Sequence, residues 1–229
     1  MFGPTAELFP MQEEVTIRKN IVMALQSSLR ATEAAHKLMK GLVEGSEPIV
    51  TSMIIEACCE QRSYDPRFAL IAGEVCGSRV TFQKLYGMLL RYRYATMDAT
   101  AMPEKNIDIY ARIFAHLFAC DCVSWDVFEI FDISTSDVSQ RTFLASFLRL
   151  LMVAMGTAPL LERFRHRNMR LKLKGILPMY GEDFGDDAQT VTDKARVCLR
   201  FFSGAGTIRA LAVDLEKWWG ERQKRPRDE

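Results

Sequence analysis

The chain has almost no surplus charge of either sign. Its 30 lysines and arginines face 29 aspartates and glutamates over 229 residues, a formal net charge of +1. That balance excludes a globally basic nucleic-acid binder, although local clusters can still carry a field. Histidine is scarce, at 3 residues, and no nucleophile pattern lies beside any of them, so acid–base catalysis has little to work with. The 6 cysteines read as reduced thiols inside helices. The opening MFGPTAELFP lacks the charged and apolar regions of a secretory leader. No apolar run is long enough to span a bilayer, because the best one, Phe143 to Met155, is interrupted by Ser146 and Arg149. Strand-type alternation is nearly absent as well. The remaining composition, 48% hydrophobic and 26% charged, is ordinary for a globular protein.

What is present is helical periodicity. Ile17, Ile21, Leu25 and Leu29 step by four and predict one helix face, followed by a polar joint at Ser27-Ser28. Leu38, Leu42 and Val43 continue on a second helix. Val50, Ile54 and Cys58 mark a third, entered through Ser46, Glu47 and Pro48, with Ser46 the expected cap and Pro48 in the first turn. Asp65-Pro66 predicts another helix start, Asp65 capping and Pro66 at the first helical position. Phe68, Ile71 and Val75 give its stripe, which ends at Gly77-Ser78. Phe82, Leu85, Leu89 and Tyr92 predict the next helix, with Tyr92 inward and Arg91 and Tyr94 near the surface. Pro103 opens a helix whose Ile107, Tyr110, Phe114 and Leu117 face the core. Trp125, Phe128 and Phe131 follow on a short helix, and Phe143 to Met155 form the most apolar one. A period close to twenty residues per helix, with short connections, predicts an all-α fold of stacked antiparallel helix pairs.

Beyond Gly156 the character changes. Leu160 to Lys174 reads as an apolar and basic helix, and an acidic loop follows, Gly181 to Asp187. Val191 to Phe202 and Thr207 to Trp219 read as two last helices packing on the same solenoid. Glu182, Asp183, Asp186 and Asp187 lack the alternation of a calcium loop. Gly204-Ala205-Gly206 has neither the preceding strand nor the Lys-Ser/Thr of a phosphate loop, so a helix connector accounts for it. His116, Cys120 and Cys122 are the nearest approach to a metal constellation, His116 and Cys120 being one turn apart. Cys58, Cys59, Cys76 and Cys198 supply no second pair, and buried helix thiols are the simpler reading. His36 reads as packed or solvent-facing. No cofactor and no catalytic residue is expected.

The landmarks ALQSSL (Ala24 to Leu29), AAHKLMK (Ala34 to Lys40), ACCEQRSYDPRFALIAGEVC (Ala57 to Cys76), IFAHLFACDCVSWDVFE (Ile113 to Glu129) and RFFSGAGTIRAL (Arg200 to Leu211) come in an order that resembles the MA-3 domain. Within that group, Ser124-Trp125 and the Phe-Phe-Ser-x-x-Gly ending resemble the nucampholin family of spliceosomal pre-mRNA-splicing factors. The resemblance implies a HEAT-like MA-3 solenoid with a C-terminal helical extension. The expected divisions are an arm at 1–12, the MA-3 repeats at 13–156, the extension at 157–220 and a basic tail at 221–229. It also implies a nuclear, non-enzymatic docking scaffold against the large U5 snRNP scaffold protein and its GTPase, with snRNA or pre-mRNA phosphates nearby.

Two alternatives remain beside that reading. One is a nucleolar MA-3 ribosome-biogenesis factor, which shares the CC…Y…P-x-F-A pattern. The other is a translation regulator binding a DEAD-box RNA helicase. The family's upstream middle domain, which grips such a helicase, has no room before Ile17, so helicase binding is not carried over. The family's serine-arginine tail is also absent.

Arg163, Arg165, Arg167, Arg170, Lys172 and Lys174 crowd one segment with His166 and only Glu162 to oppose them. On a helix they spread over several faces, so part of the set is solvated. The rest are the candidate contacts for RNA phosphates or an acidic partner surface, with a wholly solvated face as the alternative. Lys224, Arg225 and Arg227 form a short nuclear-import-like run.

Overall fold

Asp65 and Pro66 show how local chemistry sets this fold. Asp65 has extended backbone, and its side chain accepts a hydrogen bond from the Arg67 amide at 2.9 Å. Pro66 stands where a missing N–H costs nothing. A helix must begin there, as the sequence predicts. The computed structural model describes residues 11–97, 102–132, 137–165, 167–169, 172, 173, 175 and 176. Among the described residues every regular element is helical. The chain divides into two compact units, the first ending at Ser124 and the second starting at Trp125. The sequence reading ended the repeats later, at Gly156.

The first unit contains α1 (Met11–Gln26), α2 (Ala31–Lys40), α3 (Glu47–Glu60), α4 (Pro66–Ser78), α5 (Val80–Thr96) and α6 (Glu104–Ala119). α1 packs on α3 and α3 on α5, while α2 packs on α4 and α4 on α6. Two layers of stacked helices result, the arrangement of a helical repeat. α3 is central and correspondingly apolar on several sides, burying Ile49, Val50, Met53, Ile54, Ile55 and Cys58. Its one buried hydroxyl, on Thr51, donates to the Glu47 carbonyl at 2.8 Å. Phe114 of α6 is fully buried, with Tyr110 stacked at 6.2 Å and Tyr86 edge-on at 6.4 Å.

Four sequence expectations are corrected here. Leu29 is 90% exposed, because α1 stops at Gln26 and the four-residue step has no helix to continue on. For the same reason Leu42 and Val43 lie beyond the end of α2 at Lys40. Ser46 does not cap α3 through its side chain; its hydroxyl donates back to the Val43 carbonyl at 2.6 Å. Of Tyr92 and Tyr94 in α5, Tyr94 is the inward one and Tyr92 is exposed. Each three-residue step falls about 60° behind the turn of an α-helix, so Leu85 and Tyr92 leave the face that Phe82, Tyr86, Leu89, Leu90 and Tyr94 bury.

In the second unit a 3-10 helix (Trp125–Ile130), α7 (Val138–Met155), α8 (Thr157–Arg165) and a 3-10 turn (Arg167–Met169) surround an aromatic cluster. Ring centres lie 5.3 Å apart for Phe128–Phe131, 5.4 Å for Phe131–Phe147, 5.6 Å for Phe143–Phe147 and 5.7 Å for Phe128–Phe164. Such contacts add to simple burial. The single helix expected over 160–174 instead starts at Thr157 and stops at Arg165. Two glycines are required. Gly156 ends α7 with φ of 82°, and a Cβ on Gly175 would stand 1.9 Å from the Phe131 carbonyl oxygen. α7 is, among the described residues, the one helix long and apolar enough by length and composition to cross a bilayer, which the sequence reading had excluded. One face of it is buried through Phe143, Leu144, Phe147, Leu148, Leu151 and Met152, and Arg141 and Arg149 are exposed. The expected helices 191–202 and 207–219, the loop 181–187 and the connector 204–206 lie outside the described residues.

Phe114→Ala should lower the unfolding free energy by about 3–5 kcal/mol, since it empties a fully enclosed aromatic site. Asp65→Ala should cost about 1 kcal/mol. Urea denaturation followed by circular dichroism measures both.

Candidate docking surfaces

The joints between helices in the first unit are held by cations on backbone carbonyls and carboxylates. The Arg67 guanidinium donates to the Ser28 carbonyl across the α1–α2 joint, pairs with Asp65 at 3.4 Å and lies over the Phe68 ring. Lys37 donates to Ser27 from the other side, to its carbonyl at 3.3 Å and its hydroxyl at 3.2 Å. At the far end of α3, Lys105 donates to the Cys59 carbonyl at 2.8 Å and to that of Gln61, a cation placed on a helix C-terminus. Arg79 pairs with Glu47 at 3.5 Å. These contacts fix the joints in place.

One consequence is an open groove of about 700 Å³ beside the α1–α2 joint. It is lined by Leu29, Arg30, Thr32, Pro66, Leu70 and Glu74, among others. Leu70 is 49% exposed beside the nearly bare Leu29. Sequence reasoning missed this groove, because periodicity assigned Leu29 to the core and left Leu70 unremarked.

The sulfur and histidine groups are arranged for structure. α6 ends with Asp121 in the left-handed region at φ of 52°. The Cys122 amide donates to the Leu117 carbonyl at 2.8 Å and the Asp121 amide to that of Phe118 at 3.0 Å, a Schellman closure. That turn carries Cys122 back to α4, where its thiol meets the Gly73 carbonyl at 3.9 Å. The Cys120 sulfur lies 3.9 Å from the His116 Nε2. Among the described residues no three His, Cys, Asp or Glu side chains converge as a metal site. Burial pushes the thiols of Cys58, Cys76 and Cys122 up and that of Cys59 up to about 12. Protonated thiols are poor nucleophiles and poor ligands.

The basic segment is only partly brought together. The Arg163 guanidinium lies over the Trp125 ring, 5.1 Å from its centre, and Lys172 pairs with Asp126. Both are thus engaged within the second unit. Of Arg165 and Arg167 only the backbone is described. Arg170, Lys174, Lys224, Arg225 and Arg227 lie outside the described residues.

Comparison with known proteins agrees with the helical architecture. The family model described as the MA3 domain matches residues 17–124. The chain is similar to the pre-mRNA-splicing factor CWC22 homolog of Danio rerio, 32% identical over 167 residues, 72% of this chain and 17% of that protein. The Mus musculus homolog is 30% identical over 167 residues, covering 72% of this chain and 18% of the relative. The pre-mRNA-splicing factor cwf22 of Schizosaccharomyces pombe is 27% identical over 208 residues, 89% of this chain and 22% of the relative. The chain therefore spans about a fifth of the length of the curated relatives it matches.

Burial lowers the His116 pKa below its ordinary value of 6.5. The unfolded chain then takes up the proton first as pH falls, so this residue's contribution is intact above the unfolded value and is lost progressively as pH drops below about 6.5. The urea midpoint should fall between pH 7 and pH 6. A His116→Gln variant should show a flatter profile over that interval, and an equally steep one would rule the assignment out.

Proposed function

Residues 17–124 are an MA3 domain of the CWC22 family, and on that premise we propose that the chain is a non-enzymatic protein-docking module in pre-mRNA splicing. The observation that carries this reading is the extent of the similarity. The alignments with CWC22 homologues run over 167 and 208 residues, longer than the span 17–124 of the general domain match. Features outside the shared repeat are therefore shared too, and they point to the splicing-factor type of MA3 protein.

The physical character of the first unit supports docking over chemistry. A repeat of stacked helices offers long rigid faces on which a partner can rest without either side rearranging much. Carbonyl-bound lysines and arginines hold the joints, and burial keeps the thiols of Cys58, Cys59, Cys76 and Cys122 protonated. The partners we propose are spliceosomal proteins in the nucleus, among them the large U5 snRNP scaffold protein and its GTPase. RNA phosphates are proposed as a secondary contact through Arg165, Arg167, Arg170 and Lys174. Arg163 and Lys172 are set apart from that group, since each already has a partner in its own unit.

Affinity purification of the tagged chain from nuclear extract, followed by mass spectrometry, should recover U5 proteins and other splicing factors. Recovery of ribosome precursors alone would favour the nucleolar alternative and end the splicing reading. Recovery of an initiation-type DEAD-box helicase alone would favour the translational one. For RNA, the double variant Arg165→Glu, Arg167→Glu should weaken binding to single-stranded RNA in a filter assay and flatten its salt dependence, with helicity retained. Unchanged affinity would remove RNA from the proposal.

A further inference from the structure

We propose that the groove beside the α1–α2 joint is a recognition site for one amphipathic helical segment of a partner protein. That segment presents a bulky apolar side chain to Leu29 and Leu70, a carboxylate to Arg30 and a cation to Glu74. The inference deepens the docking reading above and rests on it.

The first observation is Leu29. At 90% exposure it forgoes nearly all the stabilisation that a buried leucine supplies. The joint cannot simply turn to bury it. Its neighbour Ser28 is fully buried, with the carbonyl held by Arg67, while Lys37 holds Ser27. The side chain is thus displayed outward from a fixed backbone, a pre-organised arrangement that reduces the cost of binding. Leu70, half-exposed on α4, adds a second apolar contact in the same groove. The volume of about 700 Å³ has room for a few large side chains.

The second observation is charge. Asp65 is already committed, to Arg67 and to the first turn of α4. Arg30 and Glu74 are different: both line the groove and both are exposed, and the charge of Arg30 is felt by Glu33, whose carboxylate is held at contact distance by Lys37 instead. Arg30 adjoins Leu29, and Glu74 follows Leu70 by one turn of α4. The groove thus sets an exposed cation next to Leu29 and an exposed anion one turn along α4 from Leu70, and its complement carries an acid and a base beside an apolar knob.

RNA fits this surface poorly. Glu74 and Asp65 would face its phosphates, and no aromatic side chain lines the groove for a base to stack on. No strand edge occurs among the described residues to receive an extended peptide, no aromatic lining receives a proline-rich one, and the acids beside Arg30 and Arg67 oppose a phosphorylated one, so the lining favours the helix-in-groove mode, read through anchors three and four residues apart.

The test uses the full chain and a displayed library of short helical peptides, selected on the native protein and then compared on Leu29→Asp, Leu70→Asp and Arg30→Glu variants. The expected winners carry an apolar pair at helical spacing with an acid and a base beside it. Their affinity should fall at least about tenfold on Leu29→Asp, and Arg30→Glu should be rescued by reversing the peptide's acid. Amide chemical shifts should move at Leu29, Arg30, Leu70 and Glu74. Winners indifferent to Leu29→Asp, or lacking that acid and base, would overturn the proposal. So would a variant-sensitive self-association in sedimentation, which would assign the groove to a second copy. Leu29→Asp changes an exposed residue, and an unaltered urea midpoint confirms that the fold is intact. Peptide binding without recovery of splicing factors from extract would leave this site standing and remove the splicing function; the reverse result would do the opposite.

Discussion

The first unit depends on α4 being held along both sides. α2 covers one side of it and α6 the other, and Phe68, Ala69, Ile71, Ala72, Val75 and Cys76 are all buried. Small residues let the neighbours come close: a side chain on Gly73 would meet the His116 ring at 3.4 Å. A helix wedged in this way sets the position of everything attached to it. Its start, fixed by Asp65 and Pro66, places Arg67 under the Ser28 carbonyl. That contact holds the α1–α2 joint, and the joint displays Leu29. At its other end Arg79 reaches Glu47 and anchors the turn into α5.

The same constraint explains why polar chemistry in this unit is structural. Cations are spent on helix-end carbonyls, where a lone carbonyl would otherwise go unpaired. Lys105 and Arg67 do this directly. The thiols of Cys58, Cys59, Cys76 and Cys122 sit where burial keeps them protonated, and Cys122 follows the Schellman turn of α6 back onto α4.

Much of the helical plan was legible from single residues. The Asp65-Pro66 start, the core faces of α4 and α6 and the aromatic run from Trp125 all follow from spacing and cap chemistry alone. Spacing failed where it was followed past a helix end, at Leu29, Leu42 and Val43, because periodicity does not announce where a helix stops. It failed at Tyr92 and Tyr94 because a three-residue step, such as that from Leu89 to Tyr92, falls behind the helical turn and leaves the buried face of α5. It also could not tell which basic residues already have partners: that Arg163 lies over Trp125 and Lys172 meets Asp126 depends on how the second unit folds.

By itself the sequence determined the all-helical class, the order of the repeats and the splicing-factor resemblance, since each is written in local pattern and ordered landmarks. Tertiary structure decided which side chains are displayed and which are consumed. Leu29 is an ordinary core-type residue in the sequence and an exposed anchor in the fold. The difference lies in contacts made across long sequence separations, such as that of Arg67 with Ser28, which no local period encodes.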